Sequence, residues 1–190
     1  MKYIAAVLVC CVSVLLQPTR LADCMSFSAI AQNQDHGGKI ETKYDGFNHE
    51  TLMTLNKMRV TCSGFKDSFK DGCVSITVTL HCPGLQPEHV RYVTLDVIFD
   101  TKSWDRWHQP DQRDLSVVAG TDTLRLGRMN LLDRDVSMLM TETLQARLSY
   151  DAFKKIAQSS YAEVQVGPSR FELREKNLMA LRDLNNRILK

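Results

Sequence analysis

The stretch Cys73-Val-Ser-Ile-Thr-Val-Thr-Leu-His-Cys82 decides the fold, because its apolar and polar residues alternate without a break. A strand points successive side chains to opposite faces of a sheet, so this pattern predicts a strand with one buried and one wet face. Residues 92–99 repeat the pattern with the same period of two. The centre of the chain therefore predicts an antiparallel sheet.

Further strands are predicted on both sides of this pair, at residues 52–62, 115–119, 123–129, 143–150 and 161–166. The first of them changes phase, and a bulge near Asn56 and Lys57 would reconcile its two halves. Residues 120–122, Gly-Thr-Asp, have the composition of a hairpin turn. Phe171 and Leu173 follow a Gly-Pro turn and predict a short edge strand.

Two segments late in the chain have helical periodicity instead. Asp151 is the expected N-cap of a helix that carries Phe153, Ile156 and Ala157 on one side. A second stripe, expected to dock against the sheet, contains Leu178, Leu181, Leu184 and Ile188. The predicted fold class is α+β, mostly β: an antiparallel β-sandwich or open barrel with about two helices near the C-terminus.

Length and composition are those of one ordinary globular domain. The chain has 190 residues, of which 44% are hydrophobic and 24% charged, and its formal net charge is +2. This near balance gives no basis for a nucleic-acid partner. A core of this size also needs no cofactor or metal to fold.

The first residues predict an export signal. Lys2 precedes an uncharged run over residues 4–16, which as a helix would rise only about 20 Å against roughly 30 Å of bilayer hydrocarbon. Ala29 and Ala31 supply the small residues that signal peptidase requires. We therefore expect a signal peptide over residues 1–31, a flexible lead over 32–41, and a single β-rich domain over 42–190, secreted or periplasmic and without a transmembrane helix.

A lipid anchor at Cys24 is the alternative N-terminal processing. The sequence Leu21-Ala22-Asp23-Cys24 resembles the bacterial lipobox, in which a lipid-carrying cysteine follows a leucine and small residues. Asp23 stands where that motif has a small residue, and Cys24 lies well downstream of the apolar run. Soluble export is therefore preferred over a lipid-anchored envelope subunit.

Cleavage after Ala31 leaves three cysteines in an oxidising compartment. Cys62 and Cys73 bracket a polar loop between two predicted strands, so a disulfide between them is the preferred pairing. The strand phases favour Cys62 with Cys82 instead, because these two residues share the core-facing parity. Both pairings stay open at this point.

The sequence contains no motif that assigns a catalytic or metal-binding function. The sequence has no Gly-x-Ser-x-Gly elbow and no Ser-x-x-Lys pair. His81, Cys82 and His89 lack the paired spacing of a zinc site, so no metal is predicted. Asp96 and Asp100 would lie about 13 Å apart along one strand, which is too wide for a glycosidase pair.

The residues with most binding character lie between the predicted strands at residues 92–99 and 115–119. Residues 101–113 hold both tryptophans of the chain, and the candidate binding residues are Trp104, Arg106, Trp107 and Arg113. Exposed indoles give large flat contact areas and arginines give hydrogen bonds to carboxylates or hydroxyls. The alternative is that the indoles fold back over the sheet edge.

The predicted function is that of an exported, non-enzymatic binding or structural domain in or outside the cell envelope. Its partner, a glycan or a protein, would contact the tryptophan-containing segment. The alternative from another class is a small extracytoplasmic hydrolase, whose active site would be assembled from scattered residues that one sequence does not reveal.

Overall fold

The structure, a computed structural model, describes residue 36 and residues 38–62, 72–101, 107–136 and 140–188, with Cys62 described by its backbone alone. The predicted signal cleavage after Ala31 and the lipobox at Cys24 lie outside the described residues. The described strands are β1 Lys39–Asp45, β2 Glu50–Cys62, β3 Cys73–Pro83, β4 Tyr92–Thr101, β5 Asp114–Ala119, β6 Asp122–Arg128, β7 Asn130–Asp135, β8 Met140–Leu148, β9 Ala162–Val166 and β10 Ser169–Leu173. The described helices are α1 Tyr150–Gln158 and α2 Glu175–Asn186.

The strands form two antiparallel sheets. The larger has six strands in the order β1-β2-β3-β4-β8-β7, and the smaller has four in the order β10-β9-β5-β6. Residues of both sheets and both helices contribute to one apolar core; for example, Phe99 of β4 meets Phe171 of β10 edge to face at 6.3 Å. The predicted class, α+β and mostly β with helices near the C-terminus, is confirmed.

Alternation along the central strands positions this core. On β3 and β4 the side chains of Ile76, Val78, Leu95 and Val97 are buried between the sheets, and the intervening polar residues form the outer face of the six-stranded sheet. The predicted bulge in β2 is confirmed by a shift of register between Leu55 and Met58. Inside it Lys57 has a φ of +29°, and its backbone N–H donates to Oγ1 of Thr77.

Both predicted helices form, and the first begins differently from the prediction. The N-cap of α1 is Ser149, whose Oγ accepts a hydrogen bond from the backbone N–H of Ala152 at 3.2 Å. Asp151 is already inside the first turn, where its charge favours the positive end of the helix dipole without capping it. Helix α2 buries Leu178 and Leu181 against the core, as the stripe predicts.

Two edge strands have no counterpart among the predictions. β1 begins at Lys39 within the stretch interpreted as a lead, and His36 ahead of it is buried, with Nε2 3.2 Å from Oδ2 of Asp183. β7 forms the opposite edge of the six-stranded sheet. Most side chains of β1 and β7 are exposed, so neither shows an apolar alternation in the sequence.

Candidate functional site

One end of the six-stranded sheet gathers the residues that the sequence singles out. β2 and β4 end there, and β3 and β8 begin there, because neighbouring strands are antiparallel. We call this the loop end. Trp104 and Arg106 belong to the β4–β5 connection, which leaves the sheet at this end, and they lie outside the described residues.

Trp107 and Arg113, the other two candidate binding residues, are described and half-buried. The guanidinium of Arg134 stacks on the Trp107 indole, 4.6 Å from the ring centroid. Nε1 of Trp107 is buried without a hydrogen-bond partner among the described residues. Arg113 donates from Nε to the carbonyl oxygen of His108 at 3.2 Å. Both side chains therefore support the base of the connection.

A cluster of four polar residues, three of them buried and Arg134 half-buried, lies at the loop end. Nδ1 of His108 is 2.7 Å from Oε2 of Glu142, and Nε2 of His108 is 2.8 Å from Oγ of Ser169. Arg134 donates to Oε1 of Glu142 from Nε at 3.2 Å and from Nη2 at 2.8 Å. We refer to His108, Glu142, Ser169 and Arg134 as the buried cluster.

Four separate segments bring the buried cluster together. Glu142 lies on β8 in the core-facing phase, and the register places it between Phe99 of β4 and Arg134 of β7. Ser169 opens β10 in the other sheet, and His108 precedes the short 3-10 turn Pro110–Gln112. The histidine thus bridges the two sheets at the loop end.

The hydrogen bonds favour an ionised Glu142. Its carboxylate accepts from Nδ1 of His108, and Nε2 on the other side of the ring lies within hydrogen-bond distance of the Ser169 hydroxyl. Burial alone raises the pKa of Glu142, but the hydrogen bonds from His108 and Arg134 outweigh it, and the net pKa lies below the ordinary value. A carboxylate that accepts several donors keeps its charge in this way.

The sequence of hydrogen bonds from Glu142 through His108 to Ser169 is also that of the catalytic triad of a serine hydrolase. Here, however, Glu142, His108 and Ser169 are only 0%, 1% and 3% exposed. An apolar cavity of about 20 Å³ between the sheets is lined by other residues, among them Val78, Val117 and Phe153. It holds at most about one water, far from the several hundred Å³ of a ligand pocket. The arrangement is therefore suited to holding the loop end rigid.

Sequence reasoning missed the buried cluster. Glu142 offers the one usable signal, because it shares the parity of Leu144, Ala146 and Leu148 on a strand whose other core positions are apolar. A carboxylate in the core-facing phase must be paired. His108 carries no such signal because it lies outside the strands, and Ser169 carries little because it is a small polar residue at the start of a five-residue strand.

Two cysteines, Cys62 and Cys73, lie opposite each other at the loop end. Cys62 of β2 is the direct register partner of Cys73 of β3. A second register shift, between Arg59 and Thr61, changes the phase of β2 and brings the two residues opposite each other. Cys82 is a free buried thiol, and burial raises its pKa to about 11. The alternative pairing of Cys62 with Cys82 is therefore wrong.

Comparisons with known proteins give no match: no family model, no curated protein and no solved structure is similar to this chain. Within the described residues, no three His, Cys, Asp or Glu side chains come together as possible metal ligands. Neither described helix is long and apolar enough to cross a membrane.

Proposed function

We propose that this protein is an exported, non-enzymatic binding domain that contacts a glycan or a protein through the loop end, around Trp104, Arg106 and Trp107. The observation that carries the proposal is the buried cluster at the loop end. Thr101, the last residue of β4, and His108 are both almost fully buried. The six residues between them in the sequence, 102–107, are therefore flanked by two residues that the core holds in place.

A binding segment whose flanking residues are held in place loses less entropy when a partner arrives. The buried cluster holds His108 in this way at a cost, since buried polar groups stabilise a fold only when every one of them is paired. Each of its side chains has a hydrogen-bond partner. Arg134 extends the order outward by stacking on Trp107.

Intrinsic fluorescence tests the proposal directly, because the two tryptophans of the chain both lie in this segment. We expect soluble peptidoglycan fragments or chito-oligosaccharides to change tryptophan emission in a saturable way. Trp104→Phe should remove most of the change, and Arg125→Gln, on the exposed face of β6, should leave it intact.

A protein partner is tested by a photo-reactive residue placed at position 104 and, as a control, at Tyr161, which is exposed and directly precedes β9. We expect a discrete adduct in the producing cells from position 104 and none from position 161. The absence of both the emission change and a position-specific adduct would refute binding at the loop end.

Export is the second part of the proposal. The uncharged run over residues 4–16 and the small residues before Gln32 support cleavage after Ala31. Intact mass of the protein purified from its native host tests it: a chain that begins at Gln32 is expected. A mass that corresponds to an acylated Cys24 would instead show the lipid-anchored envelope subunit.

A disulfide between Cys62 and Cys73 belongs to the same proposal. Their direct register pairing supports it, as does the finding that Cys73 carries no free thiol. A bridge that closes a loop of about 12 residues, as this one would, stabilises a fold by about 3 kcal/mol on the chain-entropy model. Thiol titration of the exported, denatured protein should find one free thiol, that of Cys82, before reduction and three afterwards.

Hydrolysis through Ser169 is a second candidate function, and it rests on the order and distances of the Glu142–His108–Ser169 relay. The 3% exposure of Ser169 opposes it. A fluorophosphonate probe decides between the two functions. Labelling that is lost in Ser169→Ala would establish a nucleophile, whereas we expect no labelling of the folded protein.

A further inference from the structure

The outer face of the six-stranded sheet carries a row of hydroxyl groups that ends in an arginine. The register places Thr54 of β2 beside Thr79 of β3, Thr79 beside Thr94 of β4, and Thr94 beside Arg147 of β8. Neighbouring strands are about 4.8 Å apart, so the row spans four strands at regular spacing. We call Thr54, Thr79 and Thr94 the threonine row. The described helices pack against the opposite face of this sheet.

The guanidinium of Arg147 is held in place by a stack of side chains. It lies 3.6 Å from the centroid of the Tyr92 ring, and the other ring in contact with Tyr92 is His81, at 4.1 Å and nearly parallel. Nδ1 of His81 is 3.0 Å from Oε1 of Glu50, and Nε2 is 3.3 Å from Oγ1 of Thr94. Glu50 is buried, so the stack has a fixed base.

Arg147 is nevertheless without a hydrogen bond or ion pair to the residues that the structure describes. Some other arginines use their donors internally: Arg134 binds Glu142, and Arg182 binds carbonyl oxygens at the C-terminal end of α1. Arg147 is exposed, and its five N–H donors form a planar fork that suits a carboxylate. Stacking fixes the plane of the fork and leaves its edge open.

We propose that Arg147 and the threonine row bind an acidic polysaccharide, with the guanidinium on a uronate carboxylate and the threonine hydroxyls on neighbouring sugar hydroxyls. The threonines retain capacity for this, because a hydroxyl offers one donor and two acceptor positions. Thr54 and Thr79 bond to each other at 3.1 Å, and Thr94 bonds to His81. The site is additional to the loop end: Tyr92 and Thr101 are nine residues apart on β4, roughly 30 Å.

Charge and topology select this ligand class. One guanidinium matches one negative charge, and Asp96, on the same face of β4 two residues beyond Thr94, opposes a more highly charged phosphate. A peptide strand would need an unpaired sheet edge for its backbone. β3 and β4 are interior strands paired on both sides, so their face offers hydroxyl groups to a sugar and no backbone ladder to a peptide.

NMR titration of the exported protein with a galacturonate oligomer tests the proposal. We expect saturable shifts confined to the outer face of β2, β3, β4 and β8 and to the Arg147 side-chain N–H. Arg147→Lys keeps the charge but loses the planar fork, so binding should weaken at least about tenfold. Arg125→Lys, an exposed arginine of the other sheet, is the matched control.

Two further ligands separate the contribution of the carboxylate charge from that of the sugar hydroxyls. The fully methyl-esterified oligomer keeps the sugar and removes the charge, so it should bind at least about tenfold more weakly. A poly-glutamate peptide keeps the carboxylates and removes the sugar hydroxyls, and it should also bind more weakly. Equal binding of the ester or the peptide, or unchanged binding by Arg147→Lys, would overturn the proposal. Tryptophan emission should not respond to the oligomer when this site alone is filled, so failure here is distinguishable from failure at the loop end.

Discussion

Replacing Glu142 by glutamine removes the negative charge of the buried cluster while keeping the shape of the side chain. The carboxylate accepts four hydrogen bonds: from the backbone N–H and Nδ1 of His108 at 3.0 and 2.7 Å, and from Nε and Nη2 of Arg134 at 3.2 and 2.8 Å. A glutamine has one acceptor oxygen and one NH₂ group. In either orientation of the amide, its NH₂ group therefore faces two of the four N–H groups that the carboxylate accepted, and those two hydrogen bonds are lost.

The expected loss of stability follows from these contacts. Each lost hydrogen bond to a charged group costs about 1.5–3 kcal/mol, and removal of one partner from a buried ion pair costs about 3–5 kcal/mol. We therefore expect Glu142→Gln to lower the free energy of unfolding by about 3–5 kcal/mol, a large part of the roughly 5–15 kcal/mol of an ordinary domain.

Urea denaturation followed by circular dichroism measures this loss. With a slope of about 1–3 kcal/mol per molar urea, the midpoint should fall by at least about 1 M. Glu172→Gln, on the exposed side of β10, is the matched control and should change stability by less than about 0.5 kcal/mol. A loss below about 1 kcal/mol for Glu142→Gln would refute the idea that the buried cluster fixes the loop end.

The same residue predicts a dependence on pH. The hydrogen bonds from His108 and Arg134 outweigh burial and hold the pKa of Glu142 below its ordinary value. A group whose pKa is lowered on folding contributes stability above its unfolded pKa, about 4.3, and loses that contribution as the pH falls through its folded pKa. The stability difference between the natural protein and Glu142→Gln should therefore be constant near neutral pH and shrink below about pH 4. A difference that grows on acidification would contradict the assignment.

Two further predictions concern the glycines with positive φ and the N-cap of α1. Gly167→Ala should cost more than about 2 kcal/mol in chemical denaturation, since φ is +52° and an added Cβ would clash with the carbonyl oxygen of Gln112. Gly120→Ala, at φ +62° with open space around it, should cost only about 1 kcal/mol, and equal losses would contradict this steric argument. Ser149→Ala should cost about 1 kcal/mol in thermal or urea unfolding through loss of the α1 cap. Asp151→Ala should cost clearly less. A larger loss of stability for Asp151→Ala than for Ser149→Ala would show that Asp151 is the N-cap.

The central strands could be predicted because burial on one face imposes alternation on the sequence. β4 follows this rule over its whole length, and β3 follows it from Ile76 to Pro83. The bulge in β2 was predictable for the same reason, since a change of phase with both halves buried requires an extra residue. β1 and β7 escaped prediction because edge strands with mostly exposed side chains are under no such constraint.

The site was less predictable, because its residues are brought together by tertiary register. Asp151 was a reasonable cap from its residue type alone, but the chain turns into α1 two residues earlier, where the Ser149 hydroxyl faces the free backbone N–H of Ala152. The pairing of Cys62 was ambiguous for a similar reason. A second irregularity in β2 reverses the parity on which the alternative to Cys73 depended.

The two surfaces proposed for binding are built on the same arrangement, used to different ends. In each, a histidine lies between a glutamate and a hydroxyl: His108 between Glu142 and Ser169, and His81 between Glu50 and Thr94. Beside each histidine an arginine stacks on an aromatic ring, Arg134 on Trp107 and Arg147 on Tyr92. Arg134 turns inward and neutralises the glutamate of its own cluster. Arg147 has no such partner among the described residues, so the cluster at the loop end holds a connection in place, whereas the outer face presents the arginine itself.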